Sequence, residues 1–286
     1  MDATPSVAAE QAALWNGSAG QAWVDTQDVL DQMFQPFETL LAEAVTTARA
    51  ACVLDIGCGT GTTTLAAARQ LGASGRCTGI DISEPMIRVA RRRAAQDQIA
   101  ANFIAADAQF HALEPGSVDM FISRFGVMFF EDPAKAFANL HRAAKAGAKC
   151  QFIVWRSAEE NPFMTTAERA AAPLLPSLPP RRPNMPGQFA FADRDRIQGI
   201  MEEAGWVDVD IRPLDVECTF LEKDLVRYLT RLGPVGRILG EVGDEVRRQV
   251  ITTARTAFDR YVKGSEVRFN AACWLMSARA FPSSAR

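Results

Sequence analysis

The sequence predicts an α/β protein with a doubly wound, mostly parallel sheet and helices on both faces. Between residues 51 and 155, apolar runs of strand length alternate with helical patterns without interruption, which is typical of parallel sheets. The first apolar run, Cys52 to Ile56, ends in a glycine-rich turn that leads directly into a helical pattern over 62–71. A buried strand, a glycine turn and a helix in this order indicate the first crossover of such a sheet.

The other elements follow in order along the chain. Helical patterns over 24–33 and 34–49 precede the first strand. In the core, strands are expected at 52–56, 76–81, 102–106, 118–122 and 149–155, and helices at 62–71, 84–95 and 133–146, with Gly147 just after the last helix. Beyond the core, the pattern predicts helices over 161–172 and 193–204, a long strand over 206–220, two or three helices within 222–264 and a final strand over 266–280.

A change of composition divides the chain after the core. Six prolines break any long regular element between 156 and 192: Pro173, Pro176, Pro179, Pro180, Pro183 and Pro186. A long irregular segment that leaves the fifth strand is expected at the ligand-binding edge of the sheet. The predicted organisation is an N-terminal helical segment (1–50), a ligand-binding core (51–155), a proline-rich cap segment (156–192) and a C-terminal part of the core (193–286) with a helical insert (222–264).

The glycine-rich turn predicts a nucleotide cradle. Gly57, Gly59 and Gly61 allow a sharp bend and a close approach of a ligand to main-chain N–H groups, and the next helix directs a partial positive charge to the same place. A dinucleotide fingerprint, G-x-G-x-x-G, holds a pyrophosphate. Here the spacing is G-x-G-x-G, and Asp55 comes before the first glycine. A carboxylate there repels a pyrophosphate but suits a ligand with an ammonium group and no phosphate, such as S-adenosylmethionine.

Two further acidic residues lie at predicted strand ends. Asp81 ends the second strand, where a carboxylate can accept hydrogen bonds from both ribose hydroxyls. Asp107, followed by Ala108, comes after the third strand and is placed to meet the adenine amino group.

The motifs D-I-G-C-G-T-G (55–61), G-I-D-I-S (79–83) and A-D-A (106–108) resemble the class I S-adenosylmethionine-dependent methyltransferase family. The resemblance is dense over residues 10 to 160 and loose beyond, and it favours the small-molecule branch with a ubiquinone/menaquinone-biosynthesis-like methyltransferase domain. It implies a Rossmann-like fold of seven strands in the order 3-2-1-4-5-7-6, here with N-terminal helices and a helical cap insert. It also implies cofactor-binding roles for Asp55, Gly57, Cys58, Gly59, Gly61, Asp81, Ile82, Met86, Asp107, Ala108, Arg124, Phe125, Trp15 and Trp23.

Arg124 follows the fourth strand, where side chains point at the transferable methyl group in this family. An arginine there can hold the cofactor's carboxylate or an acidic acceptor, or it can form a structural pair with Glu131 or Asp132. Trp15 and Trp23 likewise either contact the cofactor or anchor the N-terminal helices. The expected acceptor pocket is lined by Met128, Phe129, Trp155, Phe163 and Tyr228.

The predicted function is methyl transfer to a small organic acceptor by in-line displacement. The alternatives are a protein methyltransferase and a non-catalytic S-adenosylmethionine-binding module. Asp55 disfavours a nicotinamide dehydrogenase. No residue is assigned as the general base, and neither His111 nor His141 is expected to be catalytic. The sequence contains no metal-ligand cluster, so no metal is predicted.

The charge balance and the cysteine content of the chain limit the classes of partner that are expected. The chain has 31 basic and 34 acidic residues, a balance without the electrostatic footprint of a nucleic-acid-binding protein, and the arginines at 91–93 are expected on a solvated helix face. Six cysteines without C-x-x-C pairs predict no disulfide framework. No signal peptide and no membrane span are expected, so the predicted location is cytoplasmic, with a disordered tail over 1–9 and a possible homodimer.

Overall fold

The computed structural model describes residues 7–178, 181 and 185–281. The helices of the described chain are α1 Val7–Asn16, α2 Ser18–Asp25, α3 Gln27–Ala48, α4 Thr62–Leu71, α5 Glu84–Gln96, α6 Pro133–Ala143, α7 Pro162–Ala171, α8 Arg194–Glu203, α9 Leu225–Arg231, α10 Gly233–Ile238 and α11 Asp244–Ala257. Its strands are β1 Cys52–Ile56, β2 Arg76–Asp81, β3 Ala101–Ala105, β4 Val118–Arg124, β5 Ala144–Trp155, β6 Trp206–Leu221, β7 Val262–Lys263 and β8 Glu266–Ala280.

The strands form one sheet in the order β3-β2-β1-β4-β5-β8-β6, and the two-residue β7 pairs with β8 outside this path. The first five strands in that order are parallel, whereas β8 is antiparallel to both β5 and β6. Since β8 is the seventh strand that the sequence predicts, the predicted fold class and strand order are confirmed. The carboxyl ends of β1 to β5 therefore meet at one edge of the sheet, called here the carboxyl edge.

Two sequence predictions fail around the last core helix. It ends at Ala143 and not at 146, and Gly147 lies within β5 and not beyond a helix end. The reason is a bulge: Val118 pairs with Ala144 but Met120 pairs with Lys149, so β5 loops out between these pairs. Gly147, with φ of 76°, supplies the left-handed backbone conformation that this bulge needs.

The N-terminal region is more helical than the sequence indicates. The patterns over 24–33 and 34–49 belong to one helix, α3, which continues through Pro36. Proline removes one intrahelical hydrogen bond, but Met33, Phe37 and Leu41 are fully buried on the same helix, and this packing stabilises it. The expected disordered tail over 1–9 is wrong for residues 7–9, which begin α1; residues 1–6 lie outside the described chain.

The C-terminal hairpin extends past the rest of the sheet. β5 ends at Trp155, opposite Cys273, whereas β6 and β8 continue to pair as far as Leu221 and Glu266. Because β8 is antiparallel to β5, this extension projects from the carboxyl edge. The insert between the two strands, with α9, α10 and α11, therefore lies at the edge where ligands bind in such folds.

The insert packs against the described part of the proline-rich segment; Pro179, Pro180 and Pro183 lie outside the described residues. Leu175 of that segment is buried in a small apolar cluster with Val235 and Leu239 of the insert. The insert also contacts the N-terminal helices, because Arg227 of α9 pairs with Asp28 and Arg231 lies 3.7 Å from Asp25. We call α1, α2 and α9 together the roof.

Candidate functional site

The glycine turn after β1 is fixed by packing at its two ends. Gly57 has φ of 66°, and a Cβ atom there would lie 2.5 Å from the Cα of Gly126 in the loop after β4. Gly61 has φ of 88°, and its Cβ would lie 2.8 Å from the side chain of Ala90 on α5. Both glycines therefore hold the turn against its neighbours.

The middle glycine is different, because its missing side chain leaves room. Gly59 has φ of 55°, and the nearest atom to a Cβ there is the sulfur of Met86, at 3.7 Å. Cys58, next to it, is buried. The middle of the turn thus presents backbone without steric cover, as a cradle for a ligand requires.

Asp81 lies at the end of β2 with its carboxylate held by backbone donors. Oδ2 accepts a hydrogen bond of 2.8 Å from the Gly59 N–H, and Oδ1 accepts one of 2.8 Å from the Ser83 N–H. A carboxylate oxygen has two acceptor positions, so each keeps one for a ligand hydroxyl. This arrangement fits the two neighbouring hydroxyls of a ribose. Burial raises the pKa of the Asp81 carboxyl to about 6, although the two N–H groups act against this.

Asp55 is buried behind the glycine turn. Its Oδ2 accepts a hydrogen bond of 2.6 Å from the hydroxyl of Thr64 in the first turn of α4. Burial raises the pKa of the Asp55 carboxyl to about 7, and the bond from Thr64 only partly opposes this. The ammonium-binding role that the sequence suggests for Asp55 stays a prediction.

The buried carboxyl of Asp55 predicts a pH dependence of stability. A pKa of about 7, above the ordinary 3.8, means that the folded protein binds more protons than the unfolded one between about pH 4 and pH 7. The free energy of unfolding therefore falls as the pH rises through this range, by up to about 4 kcal/mol from this group. Asp55→Asn, which keeps an acceptor for Thr64, should lack this contribution. Urea denaturation at several pH values measures the difference, and parallel pH profiles for parent and variant would contradict the prediction.

The loop after β3 lies beside Asp81, whose carbonyl accepts a 2.9 Å bond from the Ala106 N–H. Asp107 is half-buried and accepts a hydrogen bond of 2.9 Å from the Gln109 N–H, which fixes its carboxylate in the turn. Ala108 is buried, and its carbonyl accepts a 2.9 Å bond from Asn139 of α6. The predicted adenine-binding pair is thus placed next to the predicted ribose-binding acid.

The N-terminal helices cross this edge. The Trp15 carbonyl accepts a 2.7 Å bond from the hydroxyl of Ser83, after β2, while the Trp15 ring packs edge-on against Phe129, after β4, at 5.0 Å between centroids. Trp23 packs on Trp15 at 6.1 Å. Trp15 therefore joins the loops on both sides of β1.

Asn16 reinforces this crossing, and the sequence analysis did not single it out. Its amide donates to the Ile82 carbonyl at 3.0 Å and accepts from the Glu84 N–H at 3.0 Å. It thereby stabilises the start of α5. Nothing in its local sequence pattern distinguishes it from any polar residue at a helix end.

Arg93, on the other side of the glycine turn, is a second residue that the sequence analysis did not assign to the site. Arg93 of α5 is half-buried, pairs with Asp31 of α3 at 2.8 Å and donates to the Thr60 carbonyl at 3.0 Å and the Thr62 hydroxyl at 2.9 Å. The expectation that residues 91–93 form only a solvated helix face is wrong for Arg93. Its partners are far apart in sequence, so helical periodicity gives no sign of them.

Arg124 is the last residue of β4, and Phe125 follows it. The alternative pair of Arg124 with Glu131 or Asp132 does not form; Asp132 pairs with Lys135 at 2.6 Å. Phe125 is buried with φ of 67°, a conformation that bulky residues rarely adopt. Its ring stacks on Trp155, 4.6 Å away and inclined by 12°.

The five predicted pocket residues all lie in or against one apolar core. Met128 is buried beside Trp155, and the sulfur of Met128 accepts a hydrogen bond of 3.4 Å from the backbone N–H of Trp155. Phe129 belongs with Trp15, as described above. Phe163 stacks on Phe269 at 3.8 Å and lies 5.7 Å from Tyr228, in an aromatic cluster within the extended hairpin and insert. The structure therefore brings Phe163 and Tyr228 into direct contact, and the acceptor-pocket role of all five residues stays a prediction.

Among the described residues, no group of three or more histidine, cysteine or acidic side chains is placed to hold a metal ion. No described helix has the length and apolar character of a membrane span.

Residues 53–147 match a family described as a methyltransferase domain. Over 165 residues the chain is 26% identical to the ubiquinone/menaquinone biosynthesis C-methyltransferase UbiE of Marinomonas sp.; the match covers 54% of this chain and 66% of that protein. It is 28% identical to the demethylmenaquinone methyltransferase of Renibacterium salmoninarum, with 66% of this chain and 81% of that protein covered.

A solved structure of similar fold is the YcgJ protein of Bacillus subtilis. It shares 17% identity and a TM-score of 0.54, over 85% of this chain and 98% of that chain. The glycine turn, the acids at the ends of β2 and β3 and the sheet order define a Rossmann-like methyltransferase fold. The methyltransferase domain over residues 53–147, the relatives and the fold together indicate a class I S-adenosylmethionine-dependent methyltransferase.

Proposed function

We propose that this protein transfers the methyl group of S-adenosylmethionine to a small organic acceptor. The observation that carries the proposal is Asp81, whose two oxygens each keep one acceptor position beside the uncovered backbone of Gly59. The methyltransferase domain over residues 53–147 supports it, and so do the names of the two relatives.

The residues of this chain would divide the work of binding. Asp81 would accept the two ribose hydroxyls, and Asp107 with Ala108 would take the adenine. When bound, the sulfonium supplies a methyl group on an excellent leaving group. The protein's contribution is then to align the acceptor with this methyl group and to exclude water. No residue is assigned as a base.

Several features favour a small acceptor over a protein. The N-terminal helices cross the carboxyl edge at Trp15, and the insert is tied to these helices by the pairs of Arg227 and Arg231. Phe125, Met128 and Trp155 place apolar side chains at the ends of β4 and β5. A covered, apolar site suits a small molecule, whereas a protein substrate needs an open groove.

The direct test measures binding and transfer separately. Calorimetry with S-adenosylhomocysteine tests the cofactor site, and S-adenosylmethionine with a labelled methyl group, incubated with a panel of small aromatic and quinone-like acceptors, tests transfer. Binding together with labelled small product supports the proposal. Labelled protein substrate in place of small product would favour the protein methyltransferase, and binding without any transfer would favour the binding module.

We expect the roof to slow the release of S-adenosylhomocysteine from the site. Arg227→Met combined with Arg231→Met removes the pairs between the insert and the N-terminal helices, so release of S-adenosylhomocysteine should be about two- to tenfold faster, as expected for exposed pairs. Stopped-flow tryptophan fluorescence measures this rate through Trp15 and Trp23. Arg248→Met, which breaks an exposed pair with Glu245 inside α11, is the control. Equal release rates in all three proteins would show that α9 does not cover the site.

A further inference from the structure

Arg124 is a cation at the carboxyl edge that has no carboxylate partner among the described residues. It is the last residue of β4, and its Cζ atom lies 5.6 Å from the centre of the Phe34 ring on α3. Its Nη1 atom is buried without a hydrogen-bond acceptor, and in the described part of the chain no carboxylate oxygen lies within 4.0 Å of its guanidinium. Buried polar atoms are rarely left unsatisfied, so this one requires an explanation.

The charged groups around Arg124 do not explain why its N–H group is left without an acceptor. Asp31 of α3 is bonded to Arg93 and Thr62, and Asp55 of β1 is bonded to Thr64. Glu38 of α3 is half-buried and attracts the guanidinium from beyond ion-pair distance, while Arg93 of α5 repels it. A cation whose buried N–H group has no acceptor among the described residues opposes folding, so a purely structural role is a poor account of Arg124.

The residues around Arg124 indicate which ligand group would pair with it. The next residue, Phe125, stacks on Trp155, and Gly126 touches Gly57 of the glycine turn. Arg124 thus lies between the glycine turn and the aromatic side chains at the ends of β4 and β5, where the reacting groups would meet. A guanidinium offers two parallel N–H groups that match the two oxygens of a carboxylate.

We propose that Arg124 binds a ligand carboxylate at the methyl-transfer end of the site, an inference that rests on the function proposed above. The carboxylate has two sources: the methionine end of the cofactor, or an aromatic acid that serves as acceptor. In either case the ligand supplies the anion that the protein does not.

The test compares two nucleosides. S-adenosylhomocysteine carries the amino-acid end, whereas 5′-methylthioadenosine has the same adenosine and thioether without it. If the source is the cofactor, Arg124→Met should weaken binding of S-adenosylhomocysteine about tenfold or more and leave 5′-methylthioadenosine unchanged, as expected for the loss of a charged hydrogen bond. If the source is the acceptor, both nucleosides bind the variant normally, but benzoate titrated into the S-adenosylhomocysteine-bound variant loses the affinity that it has for the parent.

Thermal melting separates this role from a structural one. Arg124→Met removes a cation with a buried, unsatisfied N–H group, so its melting temperature should not fall. The control is Arg156→Met, just after β5, because Arg156 pairs with Asp215 at 3.1 Å and lies over the Trp274 ring. That variant should melt earlier and keep the parent's nucleoside affinities.

The outcomes are distinct. Arg124→Met with parental affinity for both nucleosides and no loss of benzoate binding overturns the inference and leaves the proposed function standing. A parent protein that binds neither nucleoside overturns both.

Discussion

Asp81→Ala should weaken the binding of S-adenosylhomocysteine by about two to four orders of magnitude. The carboxylate would accept two ribose hydroxyls, and each charged hydrogen bond contributes about 1.5–3 kcal/mol. The substitution also removes the acceptor for the Gly59 and Ser83 N–H groups, so the turn itself loses two fixed contacts. Calorimetry on the parent and the variant measures the effect, and an unchanged affinity would refute the ribose assignment.

The pH dependence of binding provides a second test of the role of Asp81. The carboxyl of Asp81 has a pKa of about 6 and must be ionised to accept both hydroxyls, so the parent's affinity should fall as the pH drops below about 6. Asp81→Asn should bind weakly with no such fall. Asp119→Asn is a matched control, because Asp119 pairs with Lys145 and the Cys52 N–H at the opposite end of β1. It should lose stability but not affinity.

Gly59→Val should abolish cofactor binding while the protein stays folded, whereas Gly57→Ala should damage the fold itself. At Gly59 the space for a side chain is open apart from the Met86 sulfur, so the added atoms would occupy the ligand's approach. The left-handed backbone there adds strain of about 1–3 kcal/mol. At Gly57 even one carbon meets the backbone of Gly126 at 2.5 Å.

Circular dichroism, thermal melting and calorimetry on the two variants separate these effects. The expected pattern is a native spectrum without binding for Gly59→Val, and a strongly lowered melting temperature for Gly57→Ala. Normal binding by Gly59→Val would mean that the glycine turn is an ordinary tight turn.

Local sequence signals were sufficient for most of the fold. The parallel strands are buried on both faces, so they appear in the sequence as continuous apolar runs. The glycines and the acidic residues after these runs mark the strand ends. Where predictions failed, a tertiary contact decided the outcome. Pro36 normally ends a helix, but the buried face of α3 continues it, and the bulge at Gly147 depends on how β5 pairs with β4.

The site was only partly accessible to the same reasoning. Asp81 and the glycine turn lie at strand ends, where position in the fold follows from position in the sequence. Arg93 and Asn16 lie on helices and act on loops that are distant in sequence, so only the packed structure reveals them. The contacts of Phe163 with Tyr228 and Phe269 have the same cause, since these three residues come from segments that are distant in sequence.

The position of β8 also has a consequence for the order in which the protein is made. β8 leaves the ribosome after β6, but it lies in the sheet between β5 and β6. The strands β1 to β5 can assemble earlier, while β6 has no strand to pair with until residues 266–280 have been synthesised. Until then β5 presents an open edge, which is prone to pairing with other chains. Only when β8 enters is the base of the insert fixed, so a nascent chain acquires the insert's final position only after residues 266–280 have been synthesised.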